Sequence, residues 1–149
     1  MPQLLAFVPC EKVIVSNEQS VSMISVLDTL TMALPAGVSA LEPNSMTHIR
    51  WTAVTMYRRL PEDGDTKFIQ TIRLVMANGQ SGGEIVSELV MTHNVVRGMV
   101  PLETFPVGVP GECRMKLYLY KAGEPEGEPI TEFPMTIQYI PATGLPTKP

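Results

Sequence analysis

Residues Gly111–Tyr120 read Gly-Glu-Cys-Arg-Met-Lys-Leu-Tyr-Leu-Tyr, and this stretch decides the fold class. Cys113, Met115, Leu117 and Leu119 alternate with Arg114, Lys116, Tyr118 and Tyr120. A β-strand sends successive side chains to opposite faces, so one side of this strand is wholly apolar and the other cationic and phenolic. Pro110-Gly111 supplies a turn before it, and the polar, Gly/Pro-rich run Ala122–Pro129 follows it. Beyond that run, Phe133, Met135, Ile137 and Tyr139 again alternate with Pro134, Thr136, Gln138 and Ile140. The pattern is a hairpin with one face meant for a core.

Working outward, Leu4–Ser16 is a nearly continuous apolar strand in which Pro9 predicts an edge position, a bulge or a break. Val21–Leu34 carries apolar residues on both sides and reads as a strand buried on both faces. Thr47–Leu60 places Ile49, Trp51, Ala53 and Tyr57 on one side, and Lys67–Ala77 places Phe68, Ile72, Leu74 and Met76 on one side. Between them, Pro61–Asp65 contains Asp63-Gly64, a strong turn signal that predicts a second hairpin. Asn78–Gly83 is a further turn, and Glu84–Thr92 a further strand. In Asn94–Pro110 the prolines at 101, 106 and 110 predict two short edge strands, Val95–Val100 and Leu102–Val107, joined at Pro101. The sum is about seven to eight short strands with Gly/Pro turns and no helix, which points to an all-β, antiparallel β-sandwich, Ig-like in general architecture. Residues 1–140 are expected to form the single domain, and 141–149 a proline-rich C-terminal tail.

The length, 149 residues, fits one domain with a proper core. A charged fraction of 17% against 44% hydrophobic residues argues against disorder and leaves a fairly neutral surface that favours association with another chain. The net charge is −4 and basic residues occur in ones and twos, so no nucleic-acid partner is expected. No apolar run reaches membrane-spanning length, and Met1–Leu5 lacks the basic start of a signal peptide; no membrane partner and a cytoplasmic location are expected. Cys10 and Cys113 have no CxxC spacing and read as free buried thiols, although a disulfide becomes possible if the two lie opposite each other on facing sheets.

Few residues point to chemistry. His48 and His93 border predicted strands, with no HxH or HExxH spacing, and no metal or cofactor is expected. No serine sits in a Gly-x-Ser-x-Gly elbow. Glu11 and Asp28 fall inside apolar strands and each needs a partner or solvent; a salt bridge with Lys12, Arg50 or Arg73 is the plain account. The methionines at 76, 91, 115 and 135 take core positions. The row Arg114, Lys116, Tyr118 and Tyr120 is the candidate interaction surface, because Tyr and Arg are enriched where proteins meet.

The opening run Leu-Leu-Ala-Phe-Val-Pro-Cys-Glu-Lys-Val-Ile-Val (Leu4–Val15), followed after a polar turn by Val21–Asp28, resembles a family of small, uncharacterised bacterial proteins of similar length. The stretch Pro110-Gly111-Glu112-x-Arg114-x-x-Leu117-Tyr118 is similar to that family's closing segment. The resemblance implies a single β-sandwich domain and a bacterial source, and it brings no activity. The reading is a non-enzymatic binding or assembly module whose partner is another protein or a homo-oligomer. The alternatives are a small-ligand or carbohydrate binder with a groove lined by Trp51 or the tyrosines, and an enzyme in which Glu11, Asp28 and His48 or His93 converge on one pocket.

Overall fold

The structure is a computed structural model, and it describes residues 1–18 and 20–141. Nine strands appear in order: β1 (Gln3–Val15), β2 (Val21–Val26), β3 (Thr29–Leu34), β4 (Met46–Arg58), β5 (Lys67–Val75), β6 (Ser81–Val90), β7 (Val95–Pro106), β8 (Gly111–Lys121) and β9 (Thr131–Pro141). Among the described residues the one helical piece is a 3-10 turn, Pro61–Asp63.

The strands form a four-stranded sheet, β2-β1-β4-β7, and a five-stranded sheet, β3-β9-β8-β5-β6. Every pairing is antiparallel except β3 with β9, which is parallel. With β1, β4 and β7 side by side in one sheet and β9, β8 and β5 in the other, the order is that of the A, B, E and G, F, C strands of an immunoglobulin-like sandwich, with β6 added beside β5. The core lies between the sheets. Phe68, Ile72, Leu117, Met135 and Ile137 come from one side, and Phe7, Trp51, Ala53, Tyr57 and Phe105 from the other. A fully buried side chain of this size is worth about 1.5–3 kcal/mol, so the alternation read at 113–119 carries much of the stability.

Three sequence expectations change. The fold has nine strands rather than seven or eight, because Val21–Leu34 is two strands in different sheets, broken at Leu27-Asp28. Within it β2 is exposed along nearly all its length, so its two-sided apolar pattern does not reflect burial. Second, Pro61–Asp65 joins no hairpin: β4 and β5 belong to opposite sheets, and the turn carries the chain between them. Asp63 caps that turn through Oδ2, which accepts from the Leu60 amide at 2.7 Å, while its Oδ1 lies 3.2 Å from the Met1 ammonium. Third, β7 runs unbroken through Pro101. The Arg59 amide donates to the Asn94 carbonyl, which sets the alternation and turns the backbone of residue 101 toward the free edge, where a missing N–H leaves no gap in the ladder. At Pro9 the edge alternative holds: β1 runs on without a break, its register shift falls between Leu4 and Ala6, and ladder pairing with β2 begins only at Cys10. At the C-terminus, Pro141 closes β9 opposite Leu34, and residues 142–149 of the expected tail lie outside the described residues.

Candidate interaction surface

Arg114, Lys116, Tyr118 and Tyr120 share the outward face of β8, opposite Val75, Arg73, Thr71 and Ile69 of β5. The face is largely occupied with itself. Arg73 donates through Nε to Glu84 at 2.8 Å and through Nη2 to Glu126, and its guanidinium lies 4.6 Å over the Tyr118 ring. Tyr118 is thereby only 9% exposed. Glu84 first and then Glu126 raise the Arg73 pKa and hold its charge. Arg114 pairs with Glu112 and Glu132. Arg114 is exposed, and Lys116 and Tyr120 are half-buried.

The opposite sheet presents different chemistry. Leu5, Ile14, Val15, Met23, Ile24, Val26, Met46, Val95 and Met99 are exposed large apolar side chains on strands of the four-stranded sheet. Among the described residues, Val86 is the one counterpart on a strand of the five-stranded sheet. Every ion pair between side chains among the described residues lies on the five-stranded sheet or its loops. No charged residue occurs in β2, Val-Ser-Met-Ile-Ser-Val, and that was legible in the sequence.

The β1–β2 hairpin is an arm. Beyond Cys10, β1 pairs with β2 alone, since its contact with β4 ends there. A straight continuation would carry Val15 about 16 Å past Cys10, away from the start of β7. Instead Val15 borders one open concavity of about 780 Å³ together with Thr92, His93, Asn94, Val95, Val96, Arg97 and Met99. Val95 sits opposite Arg58, at the Gln3 end of the sheet, so the arm turns back over the sheet's outward face. Cys10 and Val54, which the register places on that face, are accordingly fully buried. Within the arm Ser25 has φ 58, a left-handed conformation at the point opposite Glu11 where regular pairing lapses.

A cleft of about 210 Å³ opens on the flank between β6 and β7. Trp51, Ile72, Leu74, Ile85, Leu102 and Met115 line it, with Gly82 and Gly83 at its side and Glu84 and Thr104 as polar members. Trp51 is 5% exposed, its indole N–H donates to the Thr104 carbonyl at 2.9 Å, and its ring meets Phe105 edge-on. It therefore offers no open ring face on which a sugar could stack.

The residues an enzyme would gather stay apart. Glu11, Asp28, His48 and His93 are all exposed. His48 sits beside Ile49, Arg50 and Glu103, whereas His93 lies at the other end of β7 in the arm's concavity. The expected salt bridges of Glu11 and Asp28 are not formed among the described residues; both residues are exposed, and Arg73 is engaged with Glu84 and Glu126. No group of three or more His, Cys, Asp or Glu suited to a metal occurs among the described residues. Cys10 and Cys113 are free and buried in different sheets. Burial pushes the Cys113 thiol up to about 11 and raises Cys10 as well.

Sequence reasoning overlooked one buried polar cluster. Gln70 falls between Phe68 and Ile72 on the inward face, accepts from the Tyr57 phenol and donates to Ser87 Oγ at 3.3 Å. The alternation marks position 70 as inward, but nothing local says that its partner stands on the facing sheet.

No family model matches the chain, and no curated protein does. Among solved structures, the chain is similar to an immunoglobulin-like protein from Pseudomonas aeruginosa at 18% identity, over 92% of this chain and 96% of that one, with a TM-score of 0.35. At that score the likeness decides nothing, and the immunoglobulin-like label rests on the strand order.

Proposed function

We propose that this chain is a non-enzymatic protein-binding or assembly module that makes its contact through the four-stranded sheet and the β1–β2 arm. One observation carries the reading: exposed apolar side chains collect on that sheet, while the other sheet's charges are paired with one another. Contiguous exposed apolar surface is costly to leave in water and marks contact sites. The Arg114–Tyr120 row remains a second candidate surface, of the more polar kind found at interface rims. Similarity to the small bacterial β-sandwich family, on Leu4–Asp28 and Pro110–Tyr118, agrees with a module of this size and adds no activity. Two free buried thiols fit a cytoplasmic setting.

The test is capture of a binding partner, self or foreign, by immobilised protein, comparing Ile24→Lys with Arg114→Ala. Loss of capture by Ile24→Lys, with binding retained by Arg114→Ala, supports the reading. A strict monomer that captures nothing in either form ends it.

The flank cleft favours a second reading, a site for a small apolar ligand. An apolar cavity of about 150 Å³ is enough to hold benzene, and this cleft is larger and lined mostly by apolar side chains. Thermal shift against small aromatic compounds and against sugars tests it. Stabilisation by an aromatic compound, lost in Met115→Trp, supports the site; no shift with any aromatic compound removes it.

A further inference from the structure

Resting on the binding-module reading, we infer that the partner of the four-stranded sheet is a second copy of this chain, held face to face across a two-fold axis. Three observations converge on it.

The first is area. Ile14, Val15, Met23, Ile24 and Val26 on the arm, with Val95 and Met99 beside it, are each between 37% and 51% exposed. Ile14 and Ile24 share one face of the arm and Val15 and Met23 the other, so a partner that receives the arm meets apolar side chains on both sides. The seven together present on the order of 500 Å² of surface, against about 800 Å² per copy in a standard interface.

The second is shape. One face carries both a projecting arm and, beside the arm's tip, an open concavity floored by Val95, Val96 and Met99. In a two-fold contact, whatever one copy offers at one point it must receive at another. A face that holds both the protrusion and the hollow satisfies that requirement alone.

The third is charge. Arg97 and Glu103 lie on the same row of β7, six residues apart, and neither has an ion-pair partner among the described residues. Across a two-fold axis the cation of each copy meets the anion of the other, twice. Edge-to-edge addition at β7 is blocked by Pro101, which turns its ring rather than an N–H outward. At β7 this leaves the face of the sheet for the contact.

Sedimentation or light scattering of the whole chain at high micromolar concentration tests the inference. The expected result is twice the chain mass for the native sequence and a halving for Ile24→Lys and for Met99→Lys, with an unchanged circular dichroism spectrum. Arg97→Glu and Glu103→Arg should each weaken the dimer, and the double variant should restore it, an outcome that misfolding cannot imitate. A native chain that stays monomeric overturns the inference, and so does a dimer indifferent to Ile24→Lys and Met99→Lys. If the monomer nevertheless captures a foreign protein and loses it on Ile24→Lys, the second copy is wrong and the binding-module reading stands. If it captures nothing, both fall.

Discussion

The Tyr57 phenol donates a 2.7 Å hydrogen bond to Gln70 Oε1 across the core, joining the two sheets through polar side chains that are 0% and 1% exposed. Burial raises the Tyr57 pKa and keeps the phenol protonated, so it remains a donor over any ordinary pH. Removing only the donor, Tyr57→Phe, leaves a buried carbonyl oxygen unmet and should cost about 1–3 kcal/mol. Gln70→Leu leaves the phenol unmet at a similar cost. The double variant should be less destabilised than the sum of the two singles, because both unmet groups disappear together. Urea unfolding of the four-protein cycle measures the coupling.

Alkaline stability should depend on Cys113. Burial pushes its folded pKa up to about 11, above the ordinary thiol value of 9.0, because the core disfavours the thiolate. The native state thus holds this proton more tightly than the unfolded chain. The thiol's contribution is fully present below pH 9 and is lost as pH rises toward 11. That contribution is about 3 kcal/mol. Chemical denaturation between pH 8 and 11 should show a falling stability, with a shallower fall in Cys113→Val, a variant that keeps an apolar side chain of similar size. A thiol reagent should label neither cysteine appreciably until the chain unfolds, since both are buried.

Gly108 and Gly98 should respond differently to alanine. At Gly108 an added Cβ would fall 2.3 Å from the carbonyl oxygens of both Glu42 and Pro43, which are backbone atoms of a loop held by the Val107 amide and the Ser45 carbonyl. At Gly98 the nearest atom is the Thr55 hydroxyl, a side chain, at 2.5 Å. Gly108→Ala should cost more than about 3 kcal/mol and Gly98→Ala about 1–3 kcal/mol. Thr55→Ala should relieve the second and leave the first untouched. Thermal melts of the three single variants and the two Thr55→Ala double variants decide this.

Arg73 holds the connection between β8 and β9 through Glu126 while it covers Tyr118. Its pairs are partly exposed, so Arg73→Ala should lower stability by no more than about 1 kcal/mol. The local effect should be larger than the global one: faster proteolytic cleavage within residues 122–130. Arg73→Lys should not restore protection, because an ammonium cannot present a planar fork to two carboxylates and a ring at once. Limited proteolysis followed by mass analysis reads the difference.

The alternations at 113–119, 133–139 and 68–76 determined by themselves that the chain folds as an all-β sandwich, and which side chains enter its core. Residue parity in a strand settles which face a side chain occupies, and that information is local. What β2 touches was not local. Its two-sided apolar pattern is the same whether it is buried or lies open on an arm, and only the tertiary structure leaves it uncovered. The same limit hid the paths of the chain at Pro61–Asp65 and Leu27-Asp28, since a turn signal marks a change of direction without saying which sheet comes next. It also hid the fate of Tyr118, whose outward position the pattern predicted and whose burial is the work of Arg73 from the neighbouring strand. Pairing partners distant in sequence are chosen by the packing of the whole chain, and the surfaces left over by that choice are where this protein's function is to be sought.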